Sequence, residues 1–188
     1  MILYLHGFRS SPQSSKARLL DDFFAARGES HRFQCPQLPV SPAAAMRLAR
    51  ELCRAQAVAD LALIGSSLGG FYATALAEEF GCRAVLLNPA ITPADDLRKH
   101  MGVQRAWHSD AQFEFRAEFV DELVPMACAH ITRPERYFLI AATGDEVLDW
   151  RQMVAHYPGA RQTIIQGSDH GLSDFAQHVE AVIDFCRS

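Results

Sequence analysis

Two adjacent serines stand between glycines in LALIGSSLGGFYATAL, residues 61–76, where an apolar run gives way to a helical pattern. Gly65-Ser66-Ser67-Leu68-Gly69 is a GxSxG segment. Between a strand and a helix, that spacing makes a nucleophile elbow: the serine is held in a strained backbone conformation, and glycines two residues to either side let neighbouring backbone pack close. Ser67 fits the spacing, whereas Ser66 has Ile64 two residues before it. Glycine-rich junctions also arise for packing alone. A phosphate-binding loop fits less well, since GSSLGG lacks the Walker lysine and the dinucleotide glycine spacing.

A serine hydroxyl is a poor nucleophile until a base takes its proton, and the base needs a carboxylate to hold its tautomer and stabilise the imidazolium. Behind an elbow of this kind the chain order is Ser, then Asp or Glu, then His. Asp145 in AATGDEVLD and His170 in IIQGSDHGLSDF keep that order, each just past an apolar run. Glu146 and Asp149 are the competing carboxylates. Asp145 directly follows Thr143-Gly144 and is preferred, while Asp149 is placed to cap a helix starting near Trp150. The histidines at 31, 100, 108, 130, 156 and 178 have no comparable setting, and no spacing points to a metal site. Two backbone N–H groups would hold the tetrahedral oxyanion: that of Leu68, after the serine, and that of Phe8, in the loop after LHG. His6 is read as a support for that loop, without a part in proton transfer.

Chemistry dispersed over residues 8, 67, 145 and 170 needs a scaffold that gathers several strand ends. Short apolar runs alternate with longer segments of helical period, the pattern of an α/β fold with a parallel sheet. Strands are expected at 2–5, 32–37, 61–64, 84–87, 137–142 and 162–165; runs such as AVLL and YFLIAA are continuous rather than alternating, as buried parallel strands are. Helices are expected at 16–26, after Ser41-Pro42, after the elbow, and near the C-terminus. Asp145 and His170 would then leave the carboxyl ends of strands, where open α/β sheets place their sites. Residues 92–134 break the rhythm and read as a small helical insertion over one sheet edge. Within it, Phe113, Phe115, Phe119, Leu123 and Val124 suggest either an apolar lid or an amphipathic helix closing the core.

The 188 residues suffice for one domain with a substantial core, taken as 1–188. A net charge of −4 gives no footprint for nucleic acid. The five cysteines are scattered, without CxxC or ligand spacing, and read as free thiols in a reducing compartment. The start, MILYLHGF, enters a strand pattern without the features of a signal peptide. The longest apolar run, 137–142, is far short of the about 20 residues that span a membrane. A soluble, cytoplasmic protein is expected.

With these residues assembled, the chain resembles the α/β-hydrolase superfamily and, more closely, the YqiA/YcfP group of small bacterial esterases. The resemblance rests on YLHGFRSSPQSSKA, PQLP at 36–39, IGSSLGGFYAT, LNPAITP at 87–93, TGDEVLDWRQ at 143–152 and GSDHGLSDF at 167–175. It implies six mainly parallel strands in the order 2-1-3-4-5-6 with helices on both faces. It also implies Ser67 as nucleophile, Asp145 as acid and His170 as base in hydrolysis of small-molecule acyl esters or thioesters, without metal or cofactor. A thioesterase would need cations for a phosphorylated carrier; Arg9, Lys16, Arg98 and Lys99 are available but read as solvated surface charges. A dehalogenase would carry Asp in place of Ser67, and a non-catalytic binding module would have no need of all three side chains. Substrate-binding residues and oligomeric state are not assigned.

Overall fold

The computed structural model describes residues 1–188. Its strands are β1 (Ile2–Leu5), β2 (Phe33–Gln34), β3 (Ala62–Ser66), β4 (Arg83–Leu87), β5 (Gly102–Arg105), β6 (Gln112–Phe115), β7 (Tyr137–Ala142) and β8 (Arg161–Ile165). The helices are α1 (Ser15–Ala25), α2 (Pro42–Arg54), α3 (Leu68–Phe80), α4 (Pro93–Arg98), α5 (Ala117–Leu123), α6 (Trp150–His156) and α7 (Val179–Arg187).

Six strands form one parallel sheet in the order β2-β1-β3-β4-β7-β8. Leaving out the hairpin strands β5 and β6, this is the expected order 2-1-3-4-5-6. The chain steps from β1 outward to β2, then returns to β3 and continues the other way. The switch in direction falls between β1 and β3, and connections diverging there open a crevice at the carboxyl ends of those two strands. The loop after β1 and the Ser67 turn both leave the sheet at this crevice.

Side chains alternate across the sheet. Leu3, Leu5, Leu63, Leu86 and Leu139 face a core shared with α2, α3 and α6. Ile2, Tyr4, Ile64, Val85 and Ile140 face a second core closed by α1 and α7. Helix α2 starts as expected, with Pro42 in its first turn and Ser41 Oγ accepting from the Ala44 N–H at 3.1 Å. Strand β2 is shorter than the 32–37 expected, since Pro36 and Pro39 lie in the segment that follows and proline has no N–H to give a sheet ladder.

The insertion departs from the expected helical character. Between α4 and α5 it folds an antiparallel hairpin, β5 paired with β6. FEF belongs to β6, and only the following residues form a helix, so FEFRAEFVDEL is a strand and a helix joined at Arg116. Phe115, Phe119, Val120 and Leu123 are buried in the core that α2 and α3 share, while Val124 is exposed. The insertion thus closes one core, and its hairpin reaches back to the loop after β1 instead of lying along a sheet edge: Arg9 Nε donates to Arg105 O at 2.6 Å and the Trp107 N–H donates to Arg9 O at 2.8 Å. No helix is long and apolar enough to cross a membrane. The five cysteines are free thiols.

Candidate active site

Ser67 is the residue between β3 and α3, at φ 54° and ψ −121°. A left-handed φ is strained for a residue with a Cβ and persists only where its surroundings over-determine it. Here they do. The Ser67 N–H donates to Leu87 O at 3.0 Å, and Ser67 O accepts from the N–H groups of Gly70 at 2.8 Å and Ala90 at 3.0 Å. The flanking glycines are required by space: a Cβ on Gly65 would stand 2.2 Å from Gly69 O, and one on Gly69 would stand 1.9 Å from Leu5 O. Helix α3 can therefore start immediately above β1 and β3, lifting the Ser67 side chain clear of the sheet.

The other two sequence candidates converge on it. His170 Nε2 lies 3.1 Å from Ser67 Oγ, and His170 Nδ1 lies 2.8 Å from Asp145 Oδ2. Asp145 follows β7 and His170 follows β8, and their loops are joined: the Gly144 N–H donates to Gly167 O at 2.9 Å, and the Gly167 N–H to Thr143 Oγ1 at 2.8 Å. The Asp145 side chain is fully buried, with Oδ1 accepting from the N–H groups of Val147 and Leu148, both at 2.8 Å. Three donors thus fix its orientation and direct Oδ2 at the imidazole. A carboxylate facing Nδ1 selects the tautomer with the proton on Nδ1, leaving Nε2 as acceptor toward the serine hydroxyl.

The competing carboxylates have other partners. Asp149 caps α6, accepting from the Arg151 N–H at 2.9 Å, and Glu146 Oε2 accepts from the His170 backbone N–H at 3.0 Å. His6 is buried and bonded at both ring nitrogens. Its Nε2 accepts from the Leu38 N–H at 3.1 Å and its Nδ1 lies 3.0 Å from Gly7 O, so it ties the end of β1 to the chain beyond β2. Burial pushes its pKa below the usual imidazole value.

Leu68 is the first residue of α3, so its N–H has no partner within the helix. The Phe8 N–H, on the neighbouring loop, donates to no backbone carbonyl. Gly7 lies against the elbow: a Cβ there would stand 3.1 Å from Ser67 Cβ. The Phe8 ring is held under the hairpin, its centroid 6.0 Å from that of Phe113 and 4.9 Å from that of Phe115. On this side of Ser67 opens a cavity of about 580 Å³, between the loop after β1, residues 37–40, the start of α3 and the hairpin. Its apolar wall includes Phe8, Tyr72 and Phe113, and Gln37, Gln112 and His108 bring polar groups. Trp107 is not in the lining; it is exposed and stacks on the Arg9 guanidinium at 4.2 Å.

Lys16 overturns an expectation. It is 8 % exposed, not a solvated surface charge, and its Nζ donates to Gly171 O, next to the histidine. Asn88 is fully buried beside it in function: Nδ2 donates to Asp169 O at 3.0 Å and His170 O at 3.2 Å, and Oδ1 accepts from the Ala142 N–H at 2.8 Å. Asn88 lies in LNPAITP and has no local signal of its own, and the charge of Lys16 points to solvent.

Solved structures with the same fold include alpha/beta hydrolase domain-containing protein 10 from mouse, 14% identical over 97% of this chain and 89% of that one, TM-score 0.70. An esterase domain of a Rhodothermus marinus protein is 20% identical over 99% and 85%, TM-score 0.66. Est1E from Butyrivibrio proteoclasticus is 15% identical over 98% and 85%, TM-score 0.65. The fold is that of the α/β hydrolases. The family model described as "Uncharacterised protein family (UPF0227)" matches residues 1–187. The chain therefore belongs to the UPF0227 family, the YqiA/YcfP-type group that its motifs resemble.

Proposed function

We propose that the protein is a serine hydrolase that cleaves carboxylic acyl esters through an acyl-enzyme intermediate. The observation that carries this reading is the hydrogen-bonded line from Ser67 Oγ through the His170 ring to Asp145 Oδ2, starting at a strained elbow. Ser67 Oγ attacks the ester carbonyl as His170 Nε2 takes its proton, and Asp145 stabilises the imidazolium that results. The N–H groups of Phe8 and Leu68 receive the oxyanion; each such donor contributes about 100-fold to 1000-fold in kcat. Collapse expels the alcohol, which takes the proton from Nε2. Water activated by the same nitrogen then hydrolyses the acyl-enzyme and releases the acid. No step calls on a metal or organic cofactor.

Relatives of the fold support the reaction class. Est1E has been solved with ferulic acid bound, and the Rhodothermus marinus relative is described as an esterase domain. The cavity beside Leu68 has the size range of small-molecule pockets, about 300–1000 Å³, and suits one arm of a small ester. A thioester would pass through the same steps.

Ser67→Ala tests the assignment. Turnover of p-nitrophenyl butyrate and labelling by a fluorophosphonate should both disappear while the thermal melt stays in place. Purified variant that keeps either activity rules out Ser67. Parallel assays with acyl-coenzyme A and matched oxygen esters decide between thioester and ester preference.

A further inference from the structure

The loop that carries His170 is held from the sheet side by buried donors on three consecutive carbonyls. Asn88 takes those of Asp169 and His170, and Lys16 takes that of Gly171. The loop needs holding. Ser168 has φ 58° and Leu172 φ 50°, so two non-glycine residues near the histidine sit in the left-handed region. The two donors differ in cost. Asn88 is an uncharged amide with all its bonds made, whereas Lys16 is an ammonium buried in the first turn of α1. Burial opposes a charge, and the N-terminal end of a helix opposes a positive one. No carboxylate lies within ion-pair distance to offset this. An apolar side chain of similar length would serve packing better.

What the ammonium faces explains its presence. Asp169 and Asp145, from the loops after β8 and β7, favour its charge, and Glu146 holds the same loop by accepting from the His170 backbone N–H. The carbonyl that Lys16 takes belongs to the residue after the base, and the His170 ring must stay within hydrogen-bond reach of both Ser67 Oγ and Asp145 Oδ2 to move a proton. We propose that Lys16 is a positioning residue for the base: its buried ammonium clamps the 169–172 loop through Gly171 O and so holds the His170 imidazole between Ser67 and Asp145.

This inference rests on the hydrolase reading, and its test has one arm that does not. In Lys16→Met, amide hydrogen exchange across residues 168–173 should speed up about tenfold or more, whether or not any ester is cleaved. In the kinetic arm, kcat for p-nitrophenyl butyrate should fall about tenfold or more while KM changes less than about twofold, since Lys16 lies outside the cavity lining. Lys16→Arg, which keeps a charged donor, should slow the exchange again and recover part of the lost kcat. Exchange and kcat both unchanged in folded Lys16→Met overturn the proposal. Faster exchange with an unchanged kcat also overturns it, leaving Lys16 a structural tie. Lys16→Gln provides the same measurements if the methionine variant fails to fold. Turnover that survives Ser67→Ala would instead defeat the hydrolase reading, and leave the exchange result standing.

Discussion

Gly7→Ala probes the join between the loop after β1 and the elbow. Gly7 does not have a left-handed φ, so the substitution is a question of space alone. The new Cβ would stand 3.1 Å from Ser67 Cβ, 3.3 Å from Ser66 O and 3.6 Å from Ser67 Oγ. Carbon contacts are comfortable from about 3.5 Å, so one side must yield by about 0.4 Å. The elbow is the stiffer side: Ser67 is bonded at both its N–H and its C=O, and Gly69 is seated against Leu5 O. The loop therefore moves, taking the Phe8 N–H away from the Leu68 N–H. Complete loss of one oxyanion donor costs about 100-fold to 1000-fold in kcat, and a 1 Å misplacement costs about 100-fold. A shift of this size should lower kcat about 10-fold to 50-fold, or about 1.4–2.3 kcal/mol. KM should change far less, since Tyr72, Phe113 and residues 37–40 of the cavity wall stay in place. Overpacking of about 1–3 kcal/mol lowers Tm by about 2–10 °C. Steady-state hydrolysis of p-nitrophenyl butyrate, fluorophosphonate labelling rate and a thermal melt give the three quantities. A variant that melts near the parent temperature and keeps kcat within twofold refutes the assignment of Phe8 and the steric argument behind it.

Asp145→Asn keeps an oxygen for the N–H groups of Val147 and Leu148 but presents an amide to His170, so kcat should drop about 10,000-fold with little change in Tm; a loss under tenfold would remove Asp145 from the mechanism. Asn88→Ala leaves the buried Ala142 N–H and the carbonyls of Asp169 and His170 without their partner, which at about 3–5 kcal/mol in total should lower Tm by about 6–15 °C in a calorimetric scan. Lys16 gives a pH signature in stability. Burial lowers its pKa from 10.5 to about 8, so below pH 8 folding carries the full cost of the buried charge, about 3 kcal/mol, and the cost fades as pH rises from about 8 toward 10.5. The stability of Lys16→Met relative to the parent should therefore be most favourable below pH 8 and fall as pH rises to 10; a constant difference would contradict the sign.

Buried parallel strands announce themselves because both faces are covered and the run is continuous. Ile2–Leu5 and Tyr137–Ala142 are found where the apolar runs lie, with no residue of the first exposed at all beyond 5 %. The hairpin β5–β6 has the opposite character. Its strands are four residues each and half in solvent, with Val103 72 % exposed, so neither continuity nor a long alternation marks them. Phe113 and Phe115 have the period of two that a strand shows, but Phe119 and Leu123 follow at helical spacing, and one window across both blurs the change at Arg116.

The same distinction separates the site residues that were legible from those that were not. Ser67 is marked by local chemistry: the glycines that must be there are two residues away, Gly65 facing Gly69 O and Gly69 facing Leu5 O in the neighbouring strand. Asp145 and His170 are marked by chain order at strand ends, which the fold class dictates before any coordinate is known. Lys16 has no local mark. Charge predicts exposure for a lysine in a helix's first turn, and only the packing of α1 beneath the β8 loop, 155 residues away in the chain, makes its ammonium a buried donor to Gly171. Asn88 is similar, since its left-handed φ of 42° and its bonds to the end of β7 and to the loop after β8 arise from β4 ending between β3 and β7. The groups expected to do the chemistry can thus be read from short motifs, because reaction geometry restricts their type and spacing. The groups that hold them are fixed by whichever buried carbonyls the folded loops happen to leave facing inward, and that is set by tertiary structure alone.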